Sequence, residues 1–187
     1  MKLGGLKMAN ITCTIVKQIG KVSIGNSTWN KELNIVKWND YAPKYDIRSW
    51  NVDHEKCDKG VTLTSIELEK LAYALKRDID RIDKIYSNTK EVGYKNGRVK
   101  CLLCCELERL SPDDNKGWIL ELNIVRWGDN EQCFDVRYWN AGKTRTGKGV
   151  TLSKEEAQSL LVLYKNVNPS FTNNTIKVKN PGGIFID

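Results

Sequence analysis

The segment "ELNIVKW" (residues 32–38) recurs as "ELNIVRW" (residues 121–127), and the two copies differ only at Lys37 and Arg126. The similarity continues toward the C-terminus without gaps, at the same offset of 89 residues. Chance does not repeat a pattern of this length, so the sequence is a tandem duplication of one structural unit. The other paired segments are "DIR" (46–48) with "DVR" (135–137), and "KGVTL" (59–63) with "KGVTL" (148–152).

Length and charge are consistent with two small domains. The chain has 187 residues, with 30 Lys and Arg against 23 Asp and Glu, and its net charge is +7. A unit of about 70 to 90 residues buries a modest core, so we expect the two copies to pack together. The basic surplus suits a polyanionic partner but indicates nucleic acid only weakly.

The six cysteines indicate neither disulfides nor a metal site. None of them aligns with another at the repeat offset, and a disulfide framework would have been copied. The "CLLCC" run (101–105) lacks a second CxxC or His pair, and the sole histidine is His54 in the other copy. We therefore predict buried strand cysteines, no metal and no cofactor.

We expect neither a signal peptide nor a membrane-spanning segment in this sequence. No stretch approaches 18 apolar residues, and the N-terminus lacks an apolar segment of signal-peptide length. We expect a protein with reduced thiols that is cytoplasmic or nucleoid-associated, not secreted and without a membrane partner.

Each copy has the pattern of four strands followed by a helix. Residues 13–24, 29–38 and 44–50 alternate as strands, "VTL" (61–63) is a fourth, and capping boxes begin a helix in both units. The first helix is predicted to extend to about Tyr86, with the second about two turns shorter. The predicted fold is α+β, with two tandem ββββα units, each an antiparallel sheet backed by one helix. The predicted boundaries are 11–88 for the first unit, 89–100 for a linker, 101–167 for the second unit and 168–187 for a tail with two short strand-like segments.

One helix can cover only one face of a sheet, and the other face collects tryptophans and arginines. A large ring exposed on a sheet suggests a ligand, and rings interleaved with cations favour single-stranded nucleic acid. The alternatives are that these tryptophans pack in the protein and that Arg48 pairs with Asp46 or Glu32. Trp29 and Trp118 lie on the core side of the alternation. The candidate binding residues are Trp38, Arg48, Trp50, Trp127, Arg137 and Trp139, with Lys37, Lys44, Lys56, Lys59, Arg126, Lys143, Arg145 and Lys148 as neighbouring cations.

The segment "WNKELNIVKWNDYAPKYDIRSWNVDHEKCDKGVTLT" (29–64) resembles the positive cofactor four family of single-stranded-DNA-binding transcriptional coactivators, especially its small bacterial YdbC-like members. The resemblance covers residues 13–80 closely and 102–165 more loosely, where "DHEK" has no counterpart. It implies curved four-stranded sheets that pair around a basic DNA channel, here as an intramolecular pseudo-dimer. By position it implies stacking by Trp38, Trp50, Trp127 and Trp139, and phosphate contacts by Arg48, Lys59, Arg137 and Lys148.

The functional prediction is a single-stranded-DNA-binding protein with little sequence preference, acting in transcription regulation or in replication and recombination. RNA on the same surface and a protein-interaction role for the tryptophan face are the open alternatives, and the transcription or replication machinery is a candidate partner. An enzyme is not expected, because the repeat contains no nucleophile with paired carboxylates and no glycine-rich phosphate loop.

Overall fold

The computed structural model describes residues 12–24, 28–87, 89–92 and 100–171. The first unit contains β1 (Cys13–Ile24), β2 (Trp29–Trp38), β3 (Lys44–Asn51), β4 (Cys57–Leu63) and α1 (Ser65–Asp78), followed by a 3₁₀ helix (Ile79–Asp83). The second contains β5 (Lys90–Val92), β6 (Cys101–Arg109), β7 (Trp118–Trp127), β8 (Gln132–Asn140), β9 (Thr146–Leu152) and α2 (Lys154–Val167). The strands form two antiparallel sheets, ordered β1-β2-β3-β4 and β5-β6-β7-β8-β9. The predicted α+β fold of two sheet-and-helix units is confirmed.

The backbone repeats more faithfully than the sequence does. Left-handed residues occur at equivalent turn positions, Asn39 (φ 48°) with Gly128 (φ 58°), and His54 (φ 56°) with Lys143 (φ 52°). Two irregularities in the register of β1 with β2 recur in β6 with β7. Because Cys13 lies opposite the last residue of β2 and Cys101 opposite the last residue of β7, β1 and β6 correspond at an offset of 88 residues rather than 89. The duplication therefore includes the first strand.

The two units share one hydrophobic core. Leu33 and Ile47 of the first sheet belong to the same buried cluster as Leu122 and Val136 of the second. Each helix packs on its own sheet and also on a strand of the other unit, α2 on β1 and α1 on β6. The contact of α2 with β1 is close, because a Cβ at Gly20 would overlap the side chain of Leu163.

An ion pair across the units supplements this core. The Lys31 ammonium of β2 donates to the Thr151 carbonyl at 2.7 Å and to the Glu156 carboxylate at 2.6 Å. Glu156 also accepts from the backbone N–H of Ser153 at the start of α2. The first unit thereby contacts the N-terminal cap of the second unit's helix.

The helices differ in length from the prediction. Both capping boxes are present, at Thr64 with Glu67 and at Ser153 with Glu156, but each helix has 14 residues. The predictions that α1 continues to Tyr86 and that α2 is two turns shorter are wrong. The chain leaves α-geometry at Asp78 (φ −111°, ψ 9°), whose buried carboxylate pairs with two arginines of its own segment. The apolar spacing beyond Asp78 belongs to the 3₁₀ helix and to an exposed extension.

Two segments predicted to lie outside the units contribute to them. Residues 90–92 of the predicted linker form β5, which makes the second sheet five-stranded and buries Val92. At the start of the predicted tail, Phe171 packs edge-on against Tyr73 and Tyr164, with ring centroids 5.0 Å and 4.9 Å away. The strand-like segments predicted within 172–187 lie outside the described residues.

Candidate nucleic-acid interface

A buried arginine–aspartate pair lies on the face of the first sheet opposite the helices. The Arg48 guanidinium donates from Nε and Nη2 to Asp46, with Nη2 2.7 Å from Oδ2, and from Nη1 to the Asp58 carbonyl at 3.3 Å. Thr62 donates to the same carboxylate at 2.9 Å. The guanidinium carbon lies 4.4 Å from the centroid of the Trp38 ring. The donors of Arg48 are thus largely occupied within the protein.

The second sheet repeats this cluster. Arg137 donates from Nε to both oxygens of Asp135 and from Nη1 to the Gly147 carbonyl at 3.2 Å. Its guanidinium carbon lies 4.7 Å from the centroid of the Trp127 ring. Arg137 therefore has the same three kinds of partner as its counterpart in the first sheet.

Burial and charge pairing oppose each other in these clusters. Burial raises the pKa of the Asp135 carboxyl, while the charge of Arg137 and hydrogen bonds from Arg137 and Trp127 act to lower it. For Arg48, burial acts to lower the pKa, but hydrogen bonding and attraction to Asp46 outweigh it, so the pKa lies above its usual value. Each carboxylate is fully buried and depends on its arginine for compensation.

The repeated glycine of "KGVTL" makes room for these arginines. Gly60 lies opposite Arg48 in the ladder, and Gly149 lies opposite Arg137. A Cβ at Gly60 would overlap the Arg48 Cβ and the Ile47 carbonyl, and Gly149 is equally confined. Close packing against the arginine thus explains why both copies have glycine at this position.

Not all the tryptophans are exposed, which corrects the sequence analysis. Trp50 is 3% exposed and Trp139 is 0% exposed, whereas Trp38 and Trp127 are half-buried. Trp139 packs in a second apolar cluster with Val92 of β5. The loop after β3 places the His54 ring centroid 5.8 Å from that of Trp50, and the loop after β8 places Lys143 Nζ 5.6 Å from the Trp139 ring centroid. The expectation of bare rings is wrong for Trp50 and Trp139.

The loops that cover these rings are equivalent in the two units. His54 Nε2 lies 2.9 Å from the buried Glu32 carboxylate, and Lys143, at the same repeat position, contacts the equivalent Glu121. The expectation that the "DHEK" loop has no counterpart is wrong for the backbone. Burial lowers the pKa of Lys143, opposed mainly by Glu106. Lys143 is therefore held against carboxylates rather than displayed to solvent.

A groove of about 1100 Å³ lies where the two units meet, and it brings several predicted residues together. Arg145 stacks over Trp118, with its guanidinium carbon 5.8 Å from the ring centroid. Trp118 had been predicted to lie on the core side, but at the strand end it is half-buried and lines the groove. Its neighbours in the groove wall include Trp127, Arg137, Arg145 and Lys148 of the second unit and Lys59 of the first.

Comparison with known proteins identifies the family of this chain. The family model described as Transcriptional Coactivator p15 (PC4) matches residues 25–74, within the first unit. An uncharacterized protein of Treponema pallidum (strain Nichols) is 37% identical over 70 residues, which covers 37% of this chain and 82% of that protein. The chain belongs to the p15 (PC4) coactivator family. That family binds single-stranded DNA, acts in transcription coactivation and is non-enzymatic.

The p15 (PC4) match includes the arginine–aspartate cluster of the first unit but not the second unit. The second unit is related through the repeat, through its identical strand order from β6 to β9 and through the same left-handed positions. Of the residues that line the groove, Lys59 comes from the first unit and the others come from the second.

The remaining predicted cations of this p15 (PC4) protein lie on outer surfaces. Arg126 is exposed and lines an adjoining groove of about 1240 Å³, which shares Trp127 with the first and also contains Asp83 and Asp129. Lys37, Lys44 and Lys56 of the first unit are exposed and line neither groove. The groove thus gathers only part of the predicted set.

The cysteines lie in strands or beside them, and all six are free. Cys101 and Cys104 are buried, as predicted. Desolvation raises the pKa of the Cys13 thiol to about 11 and that of Cys101 and Cys133 to about 12. Within the described ranges, no group of three His, Cys, Asp or Glu side chains could hold a metal ion. The described helices are too short or too polar to cross a membrane.

Proposed function

We propose that this protein binds single-stranded DNA with little sequence preference and acts in transcription regulation or in replication and recombination. The observation that carries the proposal is the groove between the units, where half-buried tryptophans lie among cations from both sheets. Bases stack on such rings, and Lys and Arg neutralise phosphates. Neither contact reads base edges, which is why we expect little sequence preference.

The two units replace the two chains of a dimer in this proposal. Lys59 of the first unit enters a groove made mostly by the second, so neither unit alone completes it. The shared core and the Lys31–Glu156 ion pair support a fixed relation between the two sheets. One chain therefore forms the pseudo-dimer. We place its action in the cytoplasm or on the nucleoid, beside the transcription or replication machinery.

The burial of two tryptophans narrows the contact surface. Trp50 and Trp139 have almost no exposed area, so we assign them to packing. The face available for a protein-interaction role is smaller for the same reason. The proposed contacts are Trp118, Trp127, Arg145, Lys148 and Lys59 in the groove, with Trp38, Lys37, Lys44, Lys56 and Arg126 outside it.

Fluorescence anisotropy tests the proposal: the protein is titrated into labelled oligo-dT and, separately, into a labelled duplex of the same length. We expect clear preference for the single strand, because only unpaired bases offer faces for stacking. If about four to six phosphates are neutralised, the slope of log affinity against log salt is about −3 to −4. Equal binding of duplex, or an affinity independent of salt, would overturn the proposal. Competition with an RNA oligomer decides between the two nucleic acids.

Paired substitutions locate the contact. The double variant Lys59→Ala with Lys148→Ala removes one groove cation from each unit. The slope of log affinity against log salt is expected to become shallower by about 1.4. Lys70→Ala removes an exposed cation from α1, on the helix side, and serves as the matched control. If Lys70→Ala weakens binding as much as the groove variant does, the groove is not the contact surface.

A further inference from the structure

Tyr41 is the one aromatic residue of the described chain that is largely exposed, at 73%. It lies in the turn between β2 and β3, two residues after the left-handed Asn39. Its backbone N–H donates to the Trp38 carbonyl at 3.1 Å. Asn39 ties the turn to the start of β1, because its side chain accepts from the Thr12 N–H at 2.9 Å. The turn thus presents the ring to solvent from a hydrogen-bonded backbone.

The exposed charges around this turn are two lysines and one aspartate, Asp40, so the local excess is positive. Lys37 at the end of β2 and Lys44 at the start of β3 flank it and are both exposed. Trp38 lies beside it but already stacks against the Arg48 guanidinium. Tyr41 therefore offers the open ring of this end of the sheet, and the two lysines can neutralise neighbouring phosphates.

The second unit lacks this feature. At the repeat offset, Tyr41 corresponds to Asn130 and Lys44 to Cys133. Both positions lie in the same hairpin of the second sheet, and neither supplies an aromatic ring or a cation. The β2–β3 turn and the β7–β8 turn therefore differ in their chemistry.

We propose that Tyr41 is a base-stacking residue, so that single-stranded DNA extends over the β2–β3 turn of the first unit but not over the corresponding turn of the second. This inference rests on the proposed function and adds a contact that the repeat does not predict. The ring stacks on one base, and Lys37 and Lys44 contact the adjacent phosphates. The first unit therefore binds a longer stretch of the strand than its repeat does.

Substitution of the ring tests the proposal. Stacking on one aromatic ring accounts for roughly a 5- to 150-fold change in affinity, so Tyr41→Ala is expected to weaken oligo-dT binding at least about fivefold. Tyr41→Phe retains the ring and is expected to bind like the wild type. Ile66→Ala removes another exposed apolar side chain, 64% exposed, from α1 on the helix side, and is expected to leave binding unchanged. Equal losses in Tyr41→Ala and Tyr41→Phe would overturn stacking, because they assign the effect to the hydroxyl.

Photocross-linking gives a direct second readout. Oligo-dT that carries 5-iodouracil is irradiated with the wild-type protein, and mass spectrometry identifies the attached residue. A cross-link at Tyr41 supports the proposal, whereas wild-type affinity of Tyr41→Ala together with no cross-link there overturns it. Wild-type protein that binds no single strand at all would instead overturn the proposed function.

Discussion

Replacing Arg48 with alanine removes the counter-charge of a carboxylate that has no exposed surface. Asp46 is 0% exposed, and its remaining side-chain donor would be the Thr62 hydroxyl, at 2.9 Å. Removing one partner of a buried ion pair costs about 3–5 kcal/mol, because the other charge stays buried without compensation. We expect the free energy of unfolding to fall by this amount, which is a large part of the stability of a small protein.

Urea unfolding followed by circular dichroism measures this change. Lys37→Ala, on the neighbouring strand but exposed, is the matched control and is expected to stay within about 0.5 kcal/mol of wild type. The double variant Asp46→Asn with Arg48→Met removes both charges and keeps an acceptor for Thr62. It is expected to be clearly more stable than Arg48→Ala alone, because no uncompensated charge remains.

The DNA-binding assay separates the two roles that Arg48 could have. If Arg48→Ala unfolds at the wild-type urea concentration but loses affinity for oligo-dT, the guanidinium is a phosphate contact and the reasoning from the buried pair fails. If the charge-free double variant folds and binds like the wild type, Arg48 acts through the framework of the sheet.

Three further predictions concern packing, the unit interface and the thiols. Gly60→Ala is expected to destabilise the fold by about 1–3 kcal/mol in urea unfolding, because its Cβ overlaps β3, whereas Gly142→Ala in an open loop is neutral; equal effects would contradict this. Lys31→Met is expected to cost about 1.5–3 kcal/mol by losing its charged hydrogen bonds to the second unit, and an unchanged urea midpoint would refute it. Cys101 and Cys133, whose pKa values are raised to about 12, are expected to resist iodoacetamide at pH 8 in the folded protein but not in urea. Because the pKa of each thiol is higher in the folded than in the unfolded protein, their contribution to stability is present below about pH 9. It is lost as the pH rises toward 12. Equal labelling rates in folded and unfolded protein would count against this last prediction.

The strands and helix starts could be predicted because their signals are local. Alternation places Leu33 and Ile47 in the core, and both capping boxes begin helices where the sequence places them. The burial of Trp139 could not be predicted, because alternation assigns a face of the sheet but not what covers it. Part of the cover is β5, a three-residue strand with a single apolar residue, Val92, which is too short to show a period. The loop that covers Trp50, which contains the left-handed residue His54, likewise has no pattern in the sequence that predicts its position.

The equivalence of β1 and β6 could not be predicted from the sequence either. β1 and β6 share the same register irregularities, yet of the residues paired by their ladders only Cys13 and Cys101 are identical. Their partners β2 and β7 are nearly identical, and an edge strand follows the hydrogen-bonding groups of its neighbour. The geometry of the edge strand is thus retained through the partner while its own residues diverge.

Repeated identity in this chain therefore marks the framework of the sheets more than their contact surface. The residues that recur unchanged include the arginine, aspartate, tryptophan and glycine of each buried cluster, which contact one another. Several positions in and beside the β2–β3 turn have diverged, with Tyr41 against Asn130 and Lys44 against Cys133. Because Tyr41 is 73% exposed, little packs against its ring, and this position was free to change after duplication. Differences in how the two units bind a strand are therefore expected at the diverged turns, and loss of folding is expected from changes to the repeated cluster.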